Sequence, residues 1–189
     1  VVDLRSSAEV VRTGRGLLER ESLRFVNSSV LSDAETDEPR EEAVFDEHYL
    51  ARRYLQYLDV GAPAFVGAIQ EMTVPENYPL VFNCFLGKDR TGVLASLVLS
   101  CLGVERETIV EDYALTHERM LLITEKLRRD PTQRETIDLT PPALLAAREA
   151  TMSSFLAEVD QRYGGARAWV NDAGISPEQV ERLEELILE

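Results

Sequence analysis

The stretch "VFNCFLGKDRTGV", residues 81–93, decides how this chain is read. An apolar run enters it, "YPLVFNC" over 78–84, and another leaves it, "TGVLASLVLSCLG" over 91–103. The first has the length and composition of a central strand, with Pro79 near its start. The second is apolar nearly all round and ends in Gly103, the pattern of a buried helix with a glycine stop. Between them, Cys84 and Arg90 are separated by Phe85, Leu86, Gly87, Lys88 and Asp89, and Thr91 follows. A strand–loop–helix junction of this length gathers backbone N–H groups and the positive end of a helix around one point. Such a nest suits a tetrahedral dianion. Gly87 permits the positive φ that so tight a loop requires. Arg90 can grip two oxygens of the anion bidentately, which lysine cannot do.

The same field acts on the cysteine, because a thiol at a helix N-terminus beside cations ionises more readily than a free one. Thiolate attack on phosphorus gives a phosphocysteine, which water then hydrolyses. The residues from Phe85 to Arg90 form the phosphate-binding set, Cys84 the nucleophile, and the Thr91 hydroxyl a partner for the departing sulfur. A nucleotide-binding loop is the competing motif, since Gly87 precedes Lys88. It would need glycine where Phe82 stands and serine or threonine where Asp89 stands, so it fails twice. Cys101, inside the apolar helix, reads as core.

Composition agrees with a soluble catalyst or binding module. The 189 residues are 44% hydrophobic and 29% charged, ordinary for one globular domain with a sizeable core. The net charge is −14, which disfavours nucleic acid and anionic membrane as partners. It does not exclude a phosphorylated substrate, because charges beyond about 8 Å are screened at physiological salt and local donors decide phosphate affinity. Two cysteines and two histidines make neither a disulfide framework nor a histidine-rich zinc centre. No apolar run is long enough to span a bilayer, and no signal peptide opens the chain. A reducing, cytoplasmic address is expected, with export as an effector the alternative. Nothing in the sequence sets an oligomeric state.

Outward from the loop, Val1 to Arg5 reads as the end of a buried strand, and Ser6 with Glu9 as a capping box opening a helix. Residues 23–31 contain a short strand or its extension, and the acidic run 32–42 an exposed loop. Tyr49, Leu50, Tyr54, Leu55 and Leu58 share one face of a helix within 45–58. A further helix spans 63–72, with Pro63 in its first turn. The C-terminal half is helix-rich. One long helix is expected from Pro141 or Pro142 to the stop at Gly164 and Gly165. The last helix takes Ser176 as N-cap, Pro177 at its first position, Gln179 closing a capping box and Ile175 stapled to Val180. Its inner face would be Val180, Leu183, Leu186 and Ile187. The segment 114–150 reads either as ordinary helical packing or as a helical lid over the pocket. The fold class is α/β, a central sheet flanked by helices.

"CFLGKDRTG" resembles the loop of the bacterial tyrosine phosphatase family typified by mycobacterial phosphatase B, usually His-Cys-x-x-Gly-Lys-Asp-Arg-Thr-Gly. "VVDLRSSAE", "ERETIVEDYALT" and "RYGGARAWVNDAGISPEQVERLEELIL" are similar to further blocks of that family, from end to end of the chain. The resemblance implies the cysteine-based phosphatase fold over a single domain, 1–189. It also implies a stretch before Asp-Leu-Arg that this sequence lacks. It implies Cys84 as nucleophile, Arg90 as phosphate clamp, and Lys88 and Asp89 as marks of this branch. The implied substrates are phosphotyrosine, with phosphoserine, phosphothreonine and phosphoinositides beside it, and no metal or organic cofactor is implied.

Two matters stay open at this level. Expelling a phenolate, whose parent pKa is near 10, needs a general acid. Asp3 ends a strand as Cys84 does, at the edge where ligands collect in open α/β sheets, so it is placed before Asp89, with Asp46 and Asp59 behind. The other matter is Asn83, which stands where the family has histidine. Its amide can still donate a hydrogen bond but cannot become cationic, so slower turnover at neutral pH is expected. An impaired, phosphate-binding module is the alternative that Asn83 raises.

Overall fold

The structure, a computed structural model, describes residues 1–33 and 48–188. Most of the acidic run, the proposed start of the helix at Phe45, and Asp46 lie outside them. Three very short strands form a parallel sheet in the order β2-β1-β3: β1 Val2–Asp3, β2 Val26–Asn27 and β3 Phe82–Asn83. Val2 is in register with Val26 and Phe82, and Asp3 with Asn27 and Asn83. The amides of Val2 and Leu4 donate to the carbonyls of Val81 and Asn83, each at 2.8 Å, which sets the end of β3 beside the end of β1. β1 is therefore the middle strand of this sheet. The apolar run 78–84, expected to be central, forms an edge, and Val81 is accordingly exposed.

The ten helices of the described residues surround this sheet: α1 Ser7–Thr13, α2 Tyr49–Val60, α3 Ala62–Met72, α4 Asp89–Cys101, α5 Arg106–Arg128, α6 Pro131–Leu139, α7 Pro142–Leu145, α8 Glu149–Tyr163, α9 Ala166–Asp172 and α10 Pro177–Leu188. α1 starts where the sequence says, with both bonds of the Ser6–Glu9 capping box made. α4 is the buried helix after the loop, with Val93, Leu94 and Leu97 fully enclosed. It packs against α9 and α5, while α2 and α5 both pack on α8. Aromatic rings close the core: Tyr54 meets Phe155 edge-on at 5.9 Å between centroids, and Phe65 meets Trp169 at 6.3 Å.

The expected single helix from 141 to 163 is two. Ala146 and Arg148 are extended, with ψ of 143° and 142°, and they separate α7 from α8. Ala146 and Ala147 are buried at this break, so the chain turns inward there rather than continuing along solvent. In α10, Val180 and Leu183 are buried as expected, but Ile187 is 41% exposed, because the final turn runs past the core. Chain direction is set where α5 ends. Asp130 caps α6 by accepting from the Thr132 amide at 2.9 Å, and Pro131 follows as its first residue. α6 then folds back along α5.

Candidate active site

Cys84 follows β3 directly, and the chain turns through Phe85, Leu86 and Gly87 before α4 begins at Asp89. Gly87 has φ of 69°, the left-handed conformation that a side chain would resist. This junction borders a cavity of about 420 Å³. Cys84, Phe85, Leu86, Asp89 and Arg90 line it from the loop. α1 adds Glu9 and Arg12, and α2 adds Tyr49, Arg53 and Tyr57. α6 and α7 form another wall through Thr136, Ile137, Leu144 and Leu145, so the segment weighed as a lid does border the pocket.

Arg90 is buried, 2% exposed, and its guanidinium is held in place by bonds to Glu9 of α1 and to Leu4, just past β1. Nη1 and Nη2 donate to the two carboxylate oxygens of Glu9 at 2.6 and 2.9 Å, and Nη1 also reaches the Leu4 carbonyl at 3.4 Å. A fork-on-fork pair of this kind fixes the plane of the guanidinium as well as its position. Burial works against the charge on Glu9, but the hydrogen bonds and charge of Arg90 outweigh it, and the carboxyl ionises below its ordinary range. Glu9 was legible in the sequence only as a capping residue. It performs both tasks, taking the Ser6 amide at 2.8 Å with the same Oε2 that accepts from Arg90.

Asp89 lies beside this pair with its Oδ1 held by two donors, Lys88 Nζ at 2.6 Å and the Tyr54 hydroxyl at 2.7 Å. Lys88, expected among the phosphate ligands, is fully buried with its ammonium on Asp89, and neither it nor Gly87 borders the cavity. The Thr91 hydroxyl, in the first turn of α4, is buried with no hydrogen-bond partner among the described residues. Asn83 donates from Nδ2 to the Cys84 carbonyl at 3.2 Å, so its amide supports the backbone of the loop.

Asp3 does not join these residues, contrary to the expectation that placed it first as acid. It is 1% exposed and absent from the cavity wall. Both of its carboxylate oxygens are taken by Arg5, from Nε at 2.9 and 3.0 Å and from Nη2 at 2.5 Å, and the Arg5 amide adds a further bond at 3.0 Å. A strand end alone did not reveal that the next turn would supply so complete a partner. Asp59 is also elsewhere, accepting from the Tyr163 hydroxyl at 3.0 Å. Tyr54 was legible only as a core residue on a helical face. The signal available for more was general: a buried phenol needs a hydrogen-bond partner.

The family model described as "Tyrosine phosphatase family" matches residues 1–189. The chain is 29% identical over 121 residues to the triple specificity protein phosphatase PtpB of Mycobacterium tuberculosis, covering 58% of this chain and 44% of that protein. It is 25% identical over 187 residues to a tyrosine-protein phosphatase of Nostoc commune, covering 96% of this chain and 63% of that one. In both cases the chain spans less than two thirds of the relative's length. The loop from Cys84 to Arg90, the Glu9 brace on its arginine and the match along the whole sequence lead to one assignment: the chain belongs to the tyrosine phosphatase family.

Proposed function

We propose that this chain hydrolyses phosphate monoesters, phosphotyrosine first among them, through a phosphocysteine intermediate on Cys84. The observation that carries the reading is the convergence of Cys84, a Glu9-braced Arg90 and Asp89 on one cavity. Apolar and aromatic walls from Tyr49, Tyr57, Phe85 and Leu86 suit an aryl ring next to the anion site. Arg90 and the loop amides hold the three non-bridging oxygens. The Cys84 thiolate attacks phosphorus as the bond to the phenolic oxygen breaks, and Asp89 gives its proton to that oxygen. Water then attacks the phosphocysteine, Asp89 takes its proton, and phosphate leaves as the thiolate returns beside the Thr91 hydroxyl.

Asp89 replaces Asp3 in this account because it borders the cavity and Asp3 does not. The relative named for triple specificity motivates phosphoserine, phosphothreonine and phosphoinositides as further substrates to assay. The test is hydrolysis of an aryl phosphate by the wild type and by Cys84→Ser, with acid trapping of radiolabelled phosphoenzyme. Turnover and a trapped intermediate in the wild type, both lost in Cys84→Ser, are expected. Phosphate binding by the wild type without turnover would overturn the reading in favour of a phosphate-binding module.

A further inference from the structure

Behind Asp89 runs a chain of hydroxyl groups that the reaction itself does not use. The Tyr54 hydroxyl donates to Asp89 Oδ1 at 2.7 Å, and it lies 2.7 Å from the Tyr113 hydroxyl. Tyr54 is 0% exposed and Tyr113 4%. Each phenol has a single proton to give. Since that of Tyr54 goes to the carboxylate, the bond between the two phenols is made by the proton of Tyr113. The chain therefore has one direction, from Tyr113 through Tyr54 to Asp89. Burial, and then the neighbouring Asp89 carboxylate, push both phenols well above the ordinary tyrosine value, so both remain donors at any working pH. The fold makes room for this arrangement. A Cβ on Gly92 would stand 2.9 and 3.0 Å from the ring of Tyr113, so a glycine in the first turns of α4 lets that ring sit against the helix bearing Asp89.

With Lys88 and Tyr54 both on Oδ1, the other oxygen, Oδ2, has no donor among the described residues. We infer that Tyr54 and Tyr113 are positioning residues for the acid, holding Oδ1 so that the proton transferred to the leaving oxygen is carried by Oδ2. The inference rests on Asp89 being the acid. It adds to that reading a reason why the carboxyl presents a single oxygen to substrate, and it assigns work to two side chains that never touch substrate.

The experiment measures kcat/KM, which reports the step that expels the leaving group, for a series of aryl phosphates of graded leaving-group pKa, with wild type, Asp89→Asn, Tyr54→Phe, Tyr113→Phe and the double phenylalanine variant. General acids contribute of order 10²- to 10⁴-fold, so Tyr54→Phe is expected to lose about tenfold with the poorest leaving group and little with the best. Tyr113→Phe should tilt the series in the same sense by less, and the double variant should be no worse than Tyr54→Phe, because Tyr113 acts through Tyr54. If Asp89→Asn tilts the series while Tyr54→Phe lowers every substrate equally or none, the positioning role is wrong and the acid stands. If Asp89→Asn leaves the series untilted, the acid assignment falls and the inference with it. Additive losses in the double variant also overturn it. Should Tyr54→Phe show no cooperative thermal transition, Tyr113→Phe decides by the same tilt.

Discussion

Asn83 stands immediately before Cys84, the proposed nucleophile, and its side chain supports the loop by donating to the Cys84 carbonyl. That bond supplies the geometric half of what an imidazole would do there; the missing half is a positive charge beside the sulfur. Cys101 shows the opposite environment. Burial in the α4 core pushes its thiol up to about 11, so at neutral pH it is almost wholly protonated and shielded. One equivalent of iodoacetamide at pH 7 should therefore label Cys84, which borders the cavity, and leave Cys101 unmodified. Intact-mass analysis reads this directly, and modification of Cys101 first would contradict it. Asn83→His should raise the rate of Cys84 labelling at neutral pH without altering the site labelled. An unchanged rate would mean that the loop and α4 already supply all the stabilisation that the thiolate receives.

Among the elements, those with explicit end signals form as their residues dictate. α1 and α10 each open with a completed capping box, and α10 adds Pro177 as its first residue and buried Ile175 ahead of its cap. Ser176→Ala removes the side-chain acceptor for the Gln179 amide, and a cap of this kind stabilises by about 1 kcal/mol. Urea unfolding should show that loss in the midpoint with no change in kcat, since α10 contributes nothing to the cavity wall. Elements whose limits depend on neighbours were less legible. The break between α7 and α8 lies in "LLAARE", which has good helix formers and no proline or glycine. The inward turn of Ala146 and Ala147 ends α7, although local preference would continue the helix. The position of β3 is a similar case, since an apolar run does not say whether one or two strands will flank it.

On the scale of the whole molecule, the site depends on bonds between segments far apart in sequence. Arg90 and Glu9 are 81 residues apart, and Tyr54 and Asp89 35. Glu9→Gln tests the first of these. Glutamine can still close the capping box on the Ser6 amide, so α1 is retained while the charge facing Arg90 is lost. A displacement of about 1 Å at the proposed phosphate clamp costs on the order of 100-fold, so kcat/KM for an aryl phosphate should fall about 10- to 100-fold, and the variant should be less stable than the wild type at neutral pH because buried Arg90 loses its charged partner. The pH dependence has a definite sign. Glu9 ionises at lower pH folded than unfolded, so its contribution is complete above the ordinary glutamate value. It is lost as pH falls through the folded value, and thermal scans of wild type and Glu9→Gln should converge at acid pH. By itself the sequence determined the strand–loop–helix junction from Cys84 to Arg90, the α/β class, the family and the capped helices, because each is written in residues within a few positions of one another. Only the tertiary structure decided that Asp3 is committed to Arg5, that Glu9 braces Arg90, and that Tyr54 and Tyr113 stand behind Asp89. A carboxylate's role is set by the donors that reach it, and those donors arrive from elements whose meeting no local pattern records.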